Sequence, residues 1–239
     1  MKRAPKYTTR DGIPVTFTGL DARTDVRRLR DIQQRYPNAE FGILFSETRT
    51  GNENRYPEKR IIHKFQQSGV RLALHVCGRL SRATFTESYY DLFHRTGGLT
   101  WFDRIQLNGL SSLTELRRDQ LDIPTGTELI LQQDPKFPLI TSRIGSYTEG
   151  RLSLLMDASG GKGIDTPFQV ADIPGVKVGY AGGINPGNVI RKLEGLLNDG
   201  ARGFWIDMET GVRTNDWLDL DKVEDVLKQV EEYTRNCQY

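Results

Sequence analysis

The residues with the clearest chemical potential lie in the stretch 178–189, which reads V-G-Y-A-G-G-I-N-P-G-N-V. A short apolar run ends there at Gly182 and Gly183, and adjacent glycines let the main chain approach an anion closely. Asn185 suits a helix N-cap and Pro186 suits the first helical position, which predicts a helix over 186–198. The first turn of a helix offers unpaired N–H groups and the positive end of the helix dipole. The stretch therefore predicts a phosphate site between a strand and a helix.

The preceding stretch, 152–163, has the same design of an apolar run, an acid and a glycine-rich loop. Asp157 ends the apolar run and is interpreted as a catalytic acid, the alternative being a carboxylate that only orders the loop. Gly160 and Gly161 would add main-chain N–H groups beside a ligand. Lys162 either meets the negative charge of that ligand or lies on the surface.

The following stretch, 203–211, repeats the design a third time as G-F-W-I-D-M-E-T-G. Asp207, a candidate substrate-binding residue, stands at the end of the apolar run, where it either is catalytic or simply holds loop N–H groups, and Thr210 and Gly211 follow it. The carboxyl ends of successive parallel strands meet at one end of a sheet or barrel. Three units of this kind in succession therefore predict one ligand site built from their loops.

The rest of the chain alternates predicted strands with predicted helices, as the spacing of its apolar residues indicates. Strands are predicted at 13–19, 41–45, 70–77, 102–107, 128–132, 152–157, 176–181 and 203–206. Helices are predicted from Asp21 or Thr24 to about residue 36, through 61–65, at 81–94, at 112–121, briefly after Thr166, at 186–198 and at 220–234. Pro135, Pro138 and Gly145 interrupt the helical pattern between 134 and 150, which predicts a weak or displaced fifth helix.

Eight strands that alternate with about eight helices predict the α/β class and a (β/α)₈ TIM barrel. A doubly wound open sheet is the alternative, but polar residues follow the strands around the whole set rather than at one switch point. The length of 239 residues suits a single domain over 1–239, with residues 1–12 as a polar lead-in.

Composition argues against several classes of function. The 33 Lys and Arg residues are scattered and balance 31 Asp and Glu residues, so no nucleic-acid partner is expected. No apolar window suits a membrane span or a signal peptide, so a cytoplasmic protein without a membrane partner is expected. Cys77, Cys237 and three dispersed His residues lack metal-ligand spacing, and neither a metal nor another cofactor is expected. Nothing in the composition indicates an oligomeric state.

Six stretches, in the same order over roughly residues 15–212, resemble those of phosphoribosylanthranilate isomerase, a barrel enzyme of tryptophan synthesis that performs an Amadori rearrangement. V-T-F-T-G-L at 15–20 resembles that family's V-K-I-C-G-I/L, N-R-Y-P at 54–57 resembles S-x-R-Y, and I-Q-L-N-G at 105–109 resembles V-Q-L-H-G. L-L-M-D-A-S-G-G-K-G at 154–163 resembles L-L-D followed by G-G-x-G-K, A-G-G-I-N-P-G-N-V at 181–189 resembles x-G-G-L-x-P-x-N-V, and I-D-M-E-T-G-V at 206–212 resembles V-D-V-S-S-G-V. The resemblance implies a barrel that binds a small phosphorylated substrate.

The resemblance also implies roles for individual residues. Asp157 corresponds to the family's general acid, which protonates the furanose ring oxygen so that the ring opens to a Schiff base. Arg55, in the polar loop 46–57, corresponds to the arginine whose planar guanidinium pairs with the anthranilate carboxylate. The residues that correspond to the phosphate cradle are Gly182, Gly183, Thr210 and Gly211.

Two positions depart from the family's pattern. Thr18 stands where the family has its catalytic cysteine base, and the pKa of a hydroxyl is too high for it to take a proton from carbon near neutral pH. Asn108 stands where the family has a histidine, and is a candidate for binding substrate. Cys77, which shares a strand face with His75, is a candidate substitute base, although a small buried thiol is the commoner case.

These observations leave three hypotheses of function open. The protein is an isomerase on a phosphoribosylamine-like substrate with a substitute base, a phosphosugar enzyme of another reaction class such as a lyase or epimerase, or a non-catalytic protein that binds a phosphorylated ligand. A second candidate base in the pocket favours either enzyme. An inert pocket that still binds phosphate favours the third hypothesis.

Overall fold

Eight parallel strands close into a barrel. The computed structural model describes residues 12–83, 102–109, 126–133, 151–160, 162–171 and 173–237. The strands are β1 (Val15–Thr18), β2 (Ala39–Phe45), β3 (Leu72–Val76), β4 (Arg104–Leu107), β5 (Glu128–Gln133), β6 (Leu152–Asp157), β7 (Lys177–Ala181) and β8 (Trp205–Met208). Each strand pairs with the next, and β8 pairs with β1. The predicted (β/α)₈ barrel is confirmed, and the pairing of β1 with β8 excludes the open sheet.

Helices connect the strands and cover the barrel. They are α1 (Val26–Arg35), α2 (Lys59–Gln66), α3 (Arg79–Ala83), α4 (Val189–Asn198) and α5 (Leu220–Cys237). In α1, Val26, Leu29 and Ile32 fall on one face at helical spacing, and all three are buried. A 3₁₀ turn (Thr210–Val212) and a hairpin of β9 (Arg213–Thr214) and β10 (Trp217–Leu218) follow β8. No helix within the described ranges combines the length and the apolar character that a membrane crossing requires.

Two predicted helix starts are wrong. The cap of α1 is Asp25, whose carboxylate accepts the main-chain N–H of Arg27 at 2.8 Å, rather than Asp21 or Thr24, which bond to each other at 3.0 Å. Helix α4 begins at residue 189, three residues after the predicted start. The physical reason is a turn over residues 185–188 that forms its own hydrogen bonds before the helix begins.

The short helix predicted after Thr166 is also wrong, since residues 166–171 follow an irregular path. Side chains from α4 hold this segment in place of a helical hydrogen-bond ladder. The ammonium of Lys192 donates to the carbonyl of Thr166, lies 4.4 Å from the ring centre of Phe168 and pairs with Asp165 at 2.6 Å. A helix here would break these contacts with α4.

Several predictions fall outside the described residues. They concern the lead-in up to residue 11, the helix at 81–94 beyond residue 83, the helix at 112–121, the weak or displaced fifth helix at 134–150 and Gly161.

The barrel interior is filled in layers, as the inward alternation of strand residues requires. Towards the N-terminal ends of the strands, Arg104 forms a buried ion pair of 3.0 Å with Glu40 and a partly buried one of 3.3 Å with Glu128. Its guanidinium also lies 4.2 Å from the ring centre of Trp205. An apolar layer, which contains Ile130, Leu155 and Trp205, separates this ionic cluster from the C-terminal end of the barrel. The top layer is polar, and it forms the floor of the cavity described below.

Gly179 leaves the space that Trp205 occupies, because a Cβ atom at this position would lie 2.1 Å from the indole ring. We expect Gly179→Ala to lower the free energy of unfolding by about 1–3 kcal/mol, the usual effect of overpacking a core. Gly195→Ala is the matched control, since an added Cβ there meets nothing within 4 Å and lies in α4. The control should raise the stability by about 0.5–1 kcal/mol through helix propensity. Urea unfolding measures both, and an unaltered stability of Gly179→Ala would contradict this packing.

Candidate active site

A cavity of about 240 Å³ opens at the C-terminal ends of the strands. Most of the predicted site residues line it: Thr18, Cys77, Asn108, Asp157, Gly182, Gly183, Asp207, Thr210 and Gly211. Strand register explains part of this grouping, since Asp157 pairs with Ala181 and Ala181 pairs with Asp207 across β6, β7 and β8. The three loops singled out in the sequence therefore meet at one place.

The glycine-rich loop after β6 lies only partly as predicted. Gly160 and Lys162 are exposed and do not line the cavity, and Gly161 is outside the described residues. Ser159 and Gly163 of the same loop line it instead. The hydroxyl of Ser159 accepts the N–H of Gly163 at 3.0 Å, and this hydrogen bond holds the loop against the cavity wall.

Arg55 lies at the rim and does not line the cavity. Its guanidinium forms ion pairs with Glu209 at 2.8 Å and with Asp216 at 2.6 Å, and it donates to the hydroxyl of Thr210 at 3.2 Å. Arg55 thus ties the loop 46–57 to the segment after β8. In this arrangement both of its carboxylate partners belong to the protein.

Asp157 faces the cavity from the end of β6 and is almost fully buried. Its Oδ2 accepts a hydrogen bond from the amide of Gln132 at 2.8 Å. Its Oδ1 accepts from the main-chain N–H of Ser159 at 3.0 Å and from the hydroxyl of the same residue at 2.8 Å. These three donors fix the orientation of the carboxylate at the cavity wall.

Asp207 provides a second carboxyl group from the end of β8. Its Oδ1 accepts a hydrogen bond from the hydroxyl of Thr18 at 2.8 Å. Burial raises the pKa of Asp207 well above its ordinary value, and the carboxylates of Glu209 and Glu40 act in the same direction. The Thr18 hydrogen bond and the charge of Arg104 oppose this rise in pKa. Asp157 and Asp207, two of the carboxyl groups that line the cavity, therefore have different partners.

His75, on β3, lies with Nδ1 4.0 Å from Oδ2 of Asp207 and is neutral. Burial lowers the pKa of His75 to about 3, and the charge of Arg104 acts in the same direction. The side-chain amide N–H of Gln106 lies 3.1 Å from Nδ1 of His75, and Nε2 lies 3.5 Å from the hydroxyl oxygen of Thr18. Because an amide N–H only donates, Nδ1 is the acceptor and the ring proton is assigned to Nε2.

Cys77 and Asn108 line the cavity as neutral polar groups. The sulfur of Cys77 accepts the amide N–H of Asn108 at 3.3 Å and is hydrogen-bonded to Tyr56. Burial raises the pKa of the Cys77 thiol, which disfavours the thiolate that a base would need. Asn108 is itself oriented by the side-chain N–H of Gln106 at 2.9 Å.

Glycines allow the loops after β6, β7 and β8 to approach each other closely. A Cβ atom at Gly183 would lie 2.3 Å from the main-chain nitrogen of Asp165, and one at Gly211 would lie 1.9 Å from the carbonyl oxygen of Ile184. Gly182 and Gly183 also adopt φ angles of 123° and 64°, which favour glycine. Among the hydrogen bonds of the described chain, none uses the N–H of either residue as donor. These N–H groups are therefore available to an anion.

Six further polar residues that line the cavity have no role predicted from the sequence. They are Arg49, Tyr56, His75, Gln106, Gln132 and Glu209. Period-two alternation could have indicated Gln106, which lies two residues before Asn108 and shares its face. Arg49 and Tyr56 lie in an irregular loop, where no periodicity indicates the direction of a side chain.

The fold and the cavity define a class of protein: a (β/α)₈ barrel with a polar, acid-bearing cavity at the C-terminal ends of its strands, where barrel enzymes have their active sites. The carboxamides of Gln106, Asn108 and Gln132 offer both donors and acceptors to a polar ligand. In the part of the chain that the structure describes, no group of three or more His, Cys, Asp or Glu side chains is arranged to hold a metal ion.

Solved structures with this fold include phosphoribosylanthranilate isomerases. The one from Thermus thermophilus has a TM-score of 0.60 and 14% identity, over 92% of this chain and 100% of that chain. The one from Pyrococcus furiosus has a TM-score of 0.58 and 15% identity, over 92% of this chain and 99% of that chain. A truncated 3-deoxy-D-arabino-heptulosonate 7-phosphate synthase from Thermotoga maritima has a TM-score of 0.55 and 9% identity, over 94% of this chain and 88% of that chain. No protein-family model matches the sequence, and no curated protein matches it significantly. At these identities the likeness shows the barrel fold alone.

We expect inorganic phosphate to bind at the loops after β7 and β8, because no other described residue accepts a hydrogen bond from the N–H groups of Gly182 and Gly183. In an NMR titration, phosphate should shift the amide signals of Gly182, Gly183 and Gly211. Gly200, which follows α4 and does not line the cavity, is the internal control. Phosphate that shifts all four signals equally, or none of them, would contradict a specific anion site.

The buried His75 should make stability depend on pH. In the folded protein its pKa is about 3, whereas the ordinary value is 6.5, so between these pH values only the unfolded state takes up the proton. The free energy of unfolding should therefore rise with pH from about 3 to 6.5. We expect His75→Asn, which keeps an acceptor for Gln106, to lose this part of the slope in urea unfolding. His63→Asn, at an exposed position of α2, is the matched control. If the free energy of unfolding depends on pH equally in native protein and in His75→Asn, His75 is not neutral in the folded protein.

Proposed function

We propose that the protein is an enzyme that acts on a small phosphosugar by acid–base isomerisation, as the phosphoribosylanthranilate isomerases do. The observation that supports this most strongly is that two carboxyl groups, Asp157 and Asp207, open into one cavity beside glycine N–H groups. Ring opening and proton transfer at a sugar need an acid and a base that reach it from different sides. Asp157 takes the role of the acid at the ring oxygen.

The phosphate of the substrate would lie against the loops after β7 and β8. Gly182 and Gly183 supply main-chain N–H groups, while Thr210 and Gly211 come from the opposite loop. The close contact between Gly211 and Ile184 holds these loops together without a ligand. A preformed anion site of this kind binds without a large cost of loop ordering.

The sugar would occupy the middle of the cavity. Gln106 on β4, Asn108 just after β4 and Gln132 on the neighbouring β5 each carry a carboxamide and line this region. A carboxamide both donates and accepts hydrogen bonds, as a sugar hydroxyl does. The neutral lining of this region therefore suits hydroxyl groups better than a second anion.

Arg55 is proposed to contact an acidic group of the substrate at the rim. To do so, its guanidinium would exchange Glu209 or Asp216, each of which is contacted by a single nitrogen, for a substrate carboxylate that it can bind with two nitrogens. This exchange would release the loop 46–57 from the segment after β8 and couple binding to movement of the rim.

Thr18 supports a second candidate function. A hydroxyl at this position does not replace a thiolate as a base, so the same phosphosugar cavity could serve a lyase, an epimerase or a binding protein. Substrate binding without isomerisation is the behaviour that would favour this candidate.

The test is turnover of phosphoribosylanthranilate by the native protein and by Asp157→Asn. We expect the variant to lose about 10²–10⁴-fold in kcat, because removal of a general acid has this effect, while ribose 5-phosphate still binds in calorimetry. Asp199→Asn, an exposed acid at the end of α4, is the matched control and should retain turnover.

Each outcome separates the candidates. Retained turnover in Asp157→Asn would contradict its role as the acid. Native protein that binds ribose 5-phosphate but does not isomerise the substrate would favour the second candidate. Native protein that binds no phosphosugar would contradict both.

A further inference from the structure

We propose that Asp207 is the catalytic residue that accepts the proton from carbon, and that Thr18 positions it. This inference rests on the proposed function and deepens it, because it supplies the base for which the sequence offered no residue at the expected position. Thr18 is not itself the base. It directs a carboxylate from β8 to the place that a side chain of β1 would otherwise occupy.

The geometry of β1, β2 and β8 supports this assignment. The hydroxyl of Thr18 donates to Oδ1 of Asp207 at 2.8 Å, and both side chains line the cavity. On the neighbouring strand, Gly42 leaves room for this hydroxyl, since a Cβ atom there would lie 2.6 Å from the oxygen of Thr18. The same Cβ would lie 3.0 Å from Nε2 of His75. The absence of a side chain at residue 42 therefore allows Thr18, His75 and Asp207 to meet.

The hydrogen bonds around Asp207 run in one direction. Gln106 donates to Nδ1 of His75, which leaves the proton on Nε2, 3.5 Å from the oxygen of Thr18. Thr18 then donates its own proton to Asp207. Thr18 thus directs its proton towards the carboxylate, which supports the ionised form of Asp207. Among the described residues no hydrogen bond reaches Oδ2, which lies 4.0 Å from Nδ1 of His75, so Oδ2 is the oxygen that can take a proton from substrate.

The surroundings of Asp207 make its carboxylate a stronger base than an ordinary one. Burial raises the pKa of Asp207, the carboxylates of Glu209 and Glu40 raise it further, and Arg104 and the Thr18 hydrogen bond lower it. A carboxylate with a raised pKa takes a proton from carbon more readily than an ordinary one. The other candidates are less suited, because burial lowers the pKa of His75 to about 3 and raises the pKa of the Cys77 thiol.

The two carboxyl groups flank the middle of the cavity. Asp157 and Asp207 lie at the same level of the barrel, each paired with Ala181 on the strand between them. Two strand spacings separate their main chains by about 10 Å, and the methyl group of Ala181 fills little of that space. A sugar placed there would have Asp157 on one side and Asp207 on the other.

The proposed step begins from the protonated, open-chain Schiff base of the sugar. Oδ2 of Asp207 takes the proton from the carbon next to the imine carbon, so that the C–H bond breaks and an O–H bond forms. The C–H electron pair forms a C=C bond, and the π electrons of the imine move to its nitrogen, which gives a neutral enaminol. Return of one proton to the former imine carbon and loss of the enol hydroxyl proton complete the ketone. The proton left on Asp207 balances the one that Asp157 gave when the ring opened, and its return to Asp157 restores both groups, so the whole isomerisation consumes no net proton.

The experiment compares native protein, Asp207→Asn, Thr18→Val and Thr18→Ser. Two readouts are followed: turnover of phosphoribosylanthranilate, and exchange of the C2 hydrogen of ribose 5-phosphate for deuterium in D₂O, observed by NMR. We expect Asp207→Asn to lose about 10²–10⁴-fold in both while ribose 5-phosphate still binds. Urea unfolding of each variant identifies any loss of folding.

The pH profile separates positioning from a merely structural role for Thr18. The native rate should rise with pH through the raised pKa of Asp207, because only the ionised carboxylate accepts a proton. Thr18→Val removes the hydrogen bond that favours the ionised form, so its rising limb should move to higher pH and kcat should fall. Thr18→Ser keeps the hydroxyl and should restore the native profile.

Several results would overturn the proposal. Folded Asp207→Asn that keeps native turnover or exchange would show that another group is the base, while the proposed function would stand. If the native rate falls as the pH rises through the pKa of Asp207, the reaction requires the protonated carboxyl group, and Asp207 acts as an acid. If native protein fails to turn over phosphoribosylanthranilate but exchanges the C2 hydrogen through Asp207, only the proposed isomerisation fails. If ribose 5-phosphate binds and neither reaction occurs, Asp207 is not a base.

Discussion

Parallel pairing between β1 and β8 is the constraint on which the rest of the structure depends. The two strands lie near opposite ends of the chain, yet their register places Thr16 beside Asp207 and completes the ladder around all eight strands. Closure of the barrel directs the threonine side chains of β1 inward. It brings the hydroxyl oxygen of Thr18 within 2.8 Å of Oδ1 of Asp207. In an open sheet these two strands would be opposite edges, and the polar cavity would lose one wall.

A buried ion pair reinforces this closure outside the strands. The guanidinium of Arg213 pairs with Asp21 at 3.0 Å and donates to the carbonyl of Gly19 at 2.7 Å, and Asp21 also accepts the N–H of Leu218. Removal of one partner from such a pair usually costs about 3–5 kcal/mol, because the other charge stays buried. The segments after β1 and β8 are thereby fixed to each other, which holds the cavity wall around Asp207 in one arrangement.

The cavity combines this rigid floor with a rim that depends on exposed charges. Arg55 crosses from the loop after β2 to Glu209 and Asp216, and these ion pairs are accessible to solvent. Ion pairs of this kind contribute little to stability and exchange readily, in contrast to the buried pairs below them. The carboxyl groups thus lie at the ends of rigid strands, and the rim is formed by loops, an arrangement that is common in barrel enzymes.

The amino-acid sequence by itself determined the alternation of strands and helices, the barrel class, and the three strand ends with Asp157, Asp207 and the glycine loops. These features follow from apolar spacing and turn residues, which act over a few neighbouring positions. Helix starts were predicted less well, because Asp21 could cap α1 locally but is instead engaged by Arg213, 192 residues away. Only the tertiary structure decided that Thr18 is bound to Asp207, that Arg55 is held at the rim and that His75 is buried and neutral. Contacts across 189 residues depend on strand order and barrel register, and no local pattern in the sequence carries that information.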